Sequence, residues 1–289
     1  MRTLREVLKD ADRRDVAIGH FNISELGALK AVAEVAKELK LPVIIGTSEG
    51  EREFLDLHDA VALIRDLREN HRQEIYLNAD HTKSFEKIKE AVDAGYDAVL
   101  FDGAALPMDE NIRVTQAVVQ YVKSVNREIL VEGEIGNIGS GSTIRKALPQ
   151  GAVIKPGDLT TVEEAKKFVQ ATGVDLLAPA VGNIHGMFAN APEPALDIER
   201  IWAIKEAVKI PLVLHGGSGN TDADFANAIH AGVRIVHIST ELRLAWRKGM
   251  EESLKQKPDE VAPYKLMEGS IEEMKEVLRR RLKLFSKIS

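Results

Sequence analysis

The stretch "EIYLNADHTKSFEKIKEAVDAGYDAVLFDG", residues 74–103, reads as strand, helix, strand. An apolar, β-rich run ends on Asp80. An amphipathic segment, "SFEKIKEAVDAGY" (84–96), then leads up to a glycine, and a second β-rich run, "AVLFDG", begins at residue 98. A helix joining two such runs makes a βαβ unit, and repetition of the unit makes a parallel sheet. The same alternation extends in both directions. Upstream lie "AIGHFN" (17–22) and "PVIIGTS" (42–48), with "SELGALKAVAEVAKELK" (24–40) between them. Downstream lie "ILVEGEIG" (129–136), "LLAPAVG" (176–182), "LVLHGG" (212–217) and "RIVHIST" (234–240). Eight strands with eight crossovers close more readily than they stay open. The expected fold is therefore an α/β TIM (β/α)8 barrel, a single domain over residues 1–289, with 259–285 as a C-terminal helical arm. One connection is long: "NIGSGSTIRKALPQGAVIKPGD" (137–158), after the fifth strand, has the length and the Gly/Ser content of a lid or binding loop.

Bulk properties narrow the function. A chain of 289 residues with 44% hydrophobic content can bury a large core. No apolar run approaches membrane-span length, and the charged N-terminus "MRTLREVLKDADRRD" does not read as a signal sequence. A cytoplasmic protein without membrane partners is expected. The formal charge of −6, with no dense basic stripe, argues against nucleic acid. The absence of cysteine excludes disulfides and thiolate metal sites, leaving His, Asp and Glu as ligands.

In such a barrel the chemistry gathers where strands end. Asn22, Ser48, Asp80, His81, Asp102, Glu132, Glu134, His185, His215 and His237 fall at those points. Asp80 and His81 raise the sharpest question, because buried ionisable neighbours need partners or a task. The plain alternative is that Asp80 or Thr82 caps the helix beginning near Ser84. His58, His71 and His230 fall in helices or at their ends, and His20 lies inside the first strand as a packed group. His81, His185 and His215 remain at or just past the third, sixth and seventh strands. Three imidazoles at one barrel mouth suit a catalytic Zn²⁺ with an open coordination position, against the alternative of three unrelated hydrogen-bonded histidines. "HGGSG" (215–219) adds close-approach glycines and a hydroxyl ahead of a helix, at the usual phosphate position of such barrels. Ser239 and Thr240 of "HISTE" lie on the other side. No strand run contains a lysine, so imine chemistry lacks its nucleophile and metal-assisted carbon–carbon chemistry is better supported.

These pieces, "AIGHFNISEL", "NADH", "LFDG", "VEGEIGNIGS", "TGVDLLAPAVGNIHG", "LVLHGGSG" and "STEL", occur in one order. In that order the chain resembles the class II (metal-dependent) fructose-bisphosphate and tagatose-bisphosphate aldolases, from about Leu4 to Leu242. The resemblance implies Asp80 as proton-abstracting base and His81, His185 and His215 as zinc ligands. It places Asp102 and Glu134 near a second divalent or a monovalent cation, the alternative being that both orient the histidines. It also implies that Gly186, Gly216, Gly217, Ser218, Ser239 and Thr240 surround the phosphate of dihydroxyacetone phosphate, with Asn22 and Ser48 as further substrate contacts. The implied reaction is reversible aldol cleavage of a ketose phosphate such as fructose 1,6-bisphosphate, in a homo-oligomer, dimer or tetramer. Alternatives are a relative with altered substrate or reaction, and a non-catalytic sugar-phosphate-binding protein.

Two positions depart from the family pattern. Its last strand carries a lysine and then an asparagine where this chain has Ile235 and His237. Its loop after the fifth strand carries acidic residues, whereas residues 137–157 have none and instead hold Arg145, Lys146 and Lys155. His237 is accordingly read as replacing the asparagine donor and as a proton shuttle, or else as packing at the barrel rim.

Overall fold

The computed structural model describes residues 1–139, 144–145, 159–188 and 194–288. Eight parallel strands close into a barrel: β1 (Ile18–Asn22), β2 (Val43–Thr47), β3 (Ile75–Thr82), β4 (Ala98–Phe101), β5 (Leu130–Ile135), β7 (Leu176–Pro179), β9 (Leu212–Leu214) and β10 (Val233–Ile238). The order around the barrel is sequential, and β10 pairs β1 with Ile18 opposite Ile235 and His20 opposite His237. A separate parallel pair joins β6 (Ile144–Arg145) to β8 (Met187–Phe188), so a short backbone ladder braces the long connection.

Helix ends follow local chemistry. Ser84 accepts from the Lys87 N–H to start α5 (Phe85–Ala94), and Gly95, at φ 105°, ends it in a conformation that a Cβ disfavours. Two apolar clusters result from the strand pattern. Residues that point outward pack under the helices. Those that point inward at the lower end, including Ile18, Ile44, Tyr76, Leu130 and Ile235, meet Leu4, Val7, Leu8 and Ala11 of α1 (Leu4–Arg14), which plugs the barrel floor. Ile235 thus belongs to an apolar layer below the mouth, which explains why an aliphatic side chain suits it.

The arm begins at Pro263, whose fixed φ suits a first helical turn. As α11 (Pro263–Ser286) it lies against α10 (Thr240–Gln256), α2 (Leu26–Leu39) and α9 (Asp222–His230). A Cβ at Gly249 would stand 2.3 Å from the Gly269 carbonyl, so the α10–α11 crossing requires glycine.

Candidate active site

The end of β3 answers the question posed by Asp80 and His81. Successive strand residues face opposite sides of a sheet. Here the β3–β4 register shifts between Ala79 and Thr82, and His81 adopts a left-handed φ of 42°. That break in alternation lets both side chains line one cavity of about 230 Å³ at the C-terminal mouth. Asp80 is not the helix cap, because Ser84 fills that role, and Thr82 instead donates to the Ala79 carbonyl.

Three imidazoles meet beside Asp80. His81 Nε2 lies 3.2 Å from His185 Nε2 and 3.2 Å from His215 Nδ1. Their other nitrogens are all spoken for. His81 Nδ1–H donates to Asp102 at 3.0 Å, His185 Nδ1–H to the Gly139 carbonyl at 2.9 Å, and His215 Nε2–H to Glu132 at 2.7 Å. Acceptors on the outside fix the tautomers, so three lone pairs face one another, an arrangement that calls for a cation. Burial opposes a charge on His81, but Asp80, Asp102 and Glu134 override it and raise its pKa to about 10. The donor set of three neutral imidazoles with oriented outer N–H groups fits a divalent metal.

Carboxylates complete the surroundings. Glu134 is 2% exposed; its Oε2 has no hydrogen-bond partner and lies 3.8 Å from both His81 Nδ1 and His215 Nδ1. Burial pushes its pKa up to about 7, although the imidazoles beside it pull the other way. Asp80 Oδ2 accepts from Asn22 Nδ2 at 2.8 Å, while Oδ1 has no hydrogen-bond partner, 3.7 Å from His237 Nδ1 and 4.0 Å from His81 Nε2. Burial disfavours the Asp80 carboxylate, yet the charges on His81, His20 and His215 outweigh it and hold Asp80 well below the usual carboxylate range. A metal cation among the imidazoles would exert the same pull.

Opposite this cluster, Gly186, Gly216, Ser218, Ser239 and Thr240 line the cavity with Asn22 and Ser48. Gly216 has φ 58°, and a Cβ there would sit 2.5 Å from the Ile184 carbonyl. Gly217 packs against the β10 backbone, where a Cβ would lie 3.0 Å from the His237 carbonyl. Glu241 secures the turn by accepting the Gly219 N–H at 3.0 Å while its own N–H donates to Ser218 Oγ at 3.3 Å. His237, 5% exposed, stacks on His20 with ring centroids 3.5 Å apart and lies 3.9 Å from the His215 ring. Asn78 Nδ2 donates to His20 Nε2 at 3.1 Å. Gly46 makes room for that ring, since a Cβ would stand 2.1 Å from His20 Cε1.

A sequence profile described as "Fructose-bisphosphate aldolase class-II" matches residues 2–288. The chain belongs to the class II aldolase family. The fructose-bisphosphate aldolase of Staphylococcus epidermidis is 32% identical over 287 residues, covering 98% of this chain and 96% of that protein. That of Geobacillus stearothermophilus is 34% identical over 268 residues, covering 92% and 90%. The crystal structure of the YdjI aldolase from Escherichia coli K12 superposes with a TM-score of 0.82 at 30% identity, covering 98% and 96%. This class II aldolase is accordingly a carbon–carbon lyase of a metal-dependent family.

In this aldolase the predicted site residues converge on one mouth, Gly217 lying just behind it and Asp102 and Glu134 beside the imidazoles. His237 both lines the cavity and packs against the His20 ring. A proton shuttle near neutrality is disfavoured: burial, then the adjoining imidazoles, holds His237 well below the usual histidine range. Lys146 and Lys155 lie outside the described residues, as does the Arg145 side chain. Sequence reasoning missed Glu132 as the partner of His215, though its place two residues before Glu134 on β5 put both on one strand face. It also missed Glu51 and Arg52, which follow β2 in a helix where no strand-end argument reaches. Glu51 accepts from Asn22 at 3.0 Å and from Arg243 at 2.7 Å.

Proposed function

We propose that this aldolase reversibly cleaves a ketose phosphate, with fructose 1,6-bisphosphate as the first substrate to test, into dihydroxyacetone phosphate and an aldehyde. The observation that carries the reading is the three imidazole lone pairs turned on one point, each ring oriented by an oxygen acceptor, with the Asp80 carboxylate beside them. His81, His185 and His215 would hold Zn²⁺, which would supply a Lewis acid for the ketose carbonyl and hydroxyl oxygens. Asp102 and Glu132 orient two of the ligands. Glu134, whose inner oxygen is unpartnered, is the group available to a second divalent or a monovalent cation.

In the condensation direction, Asp80 Oδ1 takes the proton from the carbon next to the carbonyl. Asn22 steers that carboxylate by holding Oδ2. Gly186, Gly216, Ser218, Ser239 and Thr240, backed by Gly217, receive the phosphate, and Ser48 with Asn22 contacts the remainder of the substrate. His237 offers a neutral imidazole to the substrate oxygens where the family has an amide, and its lowered pKa makes it a hydrogen-bonding group rather than a proton shuttle near neutrality. We further propose that residues 1–289 act as one barrel domain, in a cytoplasmic homo-oligomer, dimer or tetramer. No helix among the described residues is long and apolar enough to cross a membrane.

A second reading, a shifted aldehyde partner, is favoured by the His20–His237 stack, which has replaced an amide at a substrate-facing position. The test is a coupled assay for glyceraldehyde-phosphate release from fructose 1,6-bisphosphate, run on metal-replete and chelator-treated enzyme. Release that disappears on chelation and returns with zinc supports the first reading. No release, together with zinc-dependent deuterium exchange into dihydroxyacetone phosphate, selects the second.

A further inference from the structure

Arg52 projects from the short helix α3 (Glu49–Leu55) into the protein behind the mouth, and the residue is only 6% exposed. Its guanidinium meets neutral oxygens only. Nη1 donates to the Thr47 carbonyl at the end of β2 and to the Asp80 carbonyl at 3.3 Å, and Nη2 donates to Thr82 Oγ1 at 2.9 Å. No carboxylate lies within ion-pair distance of it among the described residues, so its burial carries a desolvation cost that a direct partner does not offset. Burial accordingly lowers the pKa of Arg52 itself. Such a cost calls for a compensating use.

The contacts show where that use lies. Asp80 and Thr82 flank His81, the residue at φ 42° around which the β3–β4 register shifts. For a side chain with a Cβ, a left-handed backbone is strained and persists only where its surroundings over-determine it. The planar guanidinium grips the chain on both sides of this residue and ties it to β2, and Thr82 Oγ1 closes the turn onto the Ala79 carbonyl at 3.2 Å. A lysine ammonium could not span the same oxygens in one plane.

We propose that Arg52 is a positioning residue for the aldol reaction: it locks the irregular end of β3, so that the base Asp80 and the metal ligand His81 face one cavity from adjacent positions. The inference rests on the roles assigned above to Asp80 and His81. It predicts that one substitution, remote from substrate, weakens metal binding and proton abstraction together while sparing the phosphate site.

The test uses full-length Arg52→Ala and Arg52→Lys. Zinc affinity is measured by chelator competition, deuterium exchange is followed at the carbon of dihydroxyacetone phosphate, and kcat and KM are determined separately. Arg52→Ala is expected to weaken zinc by about 10–100-fold, as for the loss of groups that orient ligands. The exchange rate and kcat should fall by about 10²-fold, as for misplaced reacting groups, with KM little changed. Methylguanidinium added to Arg52→Ala should restore both zinc affinity and exchange, whereas Arg52→Lys should remain impaired. Wild-type zinc affinity and exchange in Arg52→Ala overturn the proposal. So does a loss that methylguanidinium fails to rescue in a variant with native circular dichroism. If Arg52→Ala does not fold, Arg52→Lys decides, and wild-type values in that variant overturn the proposal. Failure of the underlying reading is visible separately: an Asp80→Asn enzyme exchanging at the wild-type rate removes the base assignment whatever Arg52 does.

Discussion

Asp80 has one oxygen held by Asn22 and the other without a hydrogen-bond partner, as the base role proposed for it requires. Asp80→Asn keeps the shape and the Asn22 neighbour but removes the proton acceptor. Zinc content should stay stoichiometric while deuterium exchange into dihydroxyacetone phosphate slows by about 10²–10⁴-fold, the usual reach of a general base. His215 lies on the other side of the division between binding and chemistry. It is 0% exposed and anchored on Glu132, so His215→Ala should remove zinc and activity together, as metal analysis of the purified protein would show. For His237 the informative variable is the aldehyde. His237→Asn should change the ranking of aldehydes in condensation, and the change should shrink when His20 is already Ala, because the 3.5 Å stack couples the two rings. An unchanged ranking in His237→Asn would reduce this histidine to a packing role.

At the scale of elements, the glycine-rich turn after β9, the proposed phosphate site, is held from behind by the C-terminal arm. Glu241 at the start of α10 takes the Gly219 N–H, and Arg281 of α11 donates to both Glu241 oxygens, at 2.6 and 2.9 Å. Arg281 also reaches Asp222 at 2.8 Å and lies 4.6 Å from the Phe225 ring centroid. The side chains of Glu241 and Arg281 are 6% and 4% exposed, so removing Arg281 leaves the buried Glu241 carboxylate with only the 3.2 Å contact to the more exposed Arg280. Arg281→Met should destabilise the enzyme by about 3–5 kcal/mol in urea unfolding. It should also raise KM for the phosphorylated ketose more than it lowers kcat. Replacing Glu241 by Gln in the same chain should recover part of the stability, but not the KM, because the anchor of Gly219 is weakened.

For the whole molecule, the barrel end away from the mouth is closed by α1, which seals the floor. Asp12 and Asp15, at the end of that helix, pair with Arg234 of β10 at 2.7 and 3.3 Å, with Lys205, Lys287 and His230 nearby. Burial opposes ionisation of both carboxylates, but Arg234 and Lys205 at Asp12, and Lys287, a hydrogen bond from His230 and Arg234 at Asp15, outweigh it and lower both pKa values. A carboxylate lowered in the folded state stabilises fully above its unfolded pKa, about 3.9, and that contribution fades as pH falls through the folded value. An Asp12→Asn, Asp15→Asn double variant should therefore melt below wild type at pH 7, with the gap closing in acid. Much of this architecture was legible in the sequence. Apolar β-rich runs, the amphipathic helices between them and the absence of strand lysines depend on neighbours a few residues apart, and they sufficed for the eight strands, the barrel mouth and the three histidines. The sequence alone also determined that any metal must be held by His, Asp or Glu, since it contains no cysteine. Only the tertiary structure decided that Glu132 serves His215, that His20 stacks on His237, and that Arg52 grips the end of β3. Each of these contacts joins different strands or helices across the closed barrel. No local periodicity encodes them, because closure, rather than spacing along the chain, sets which side chains meet.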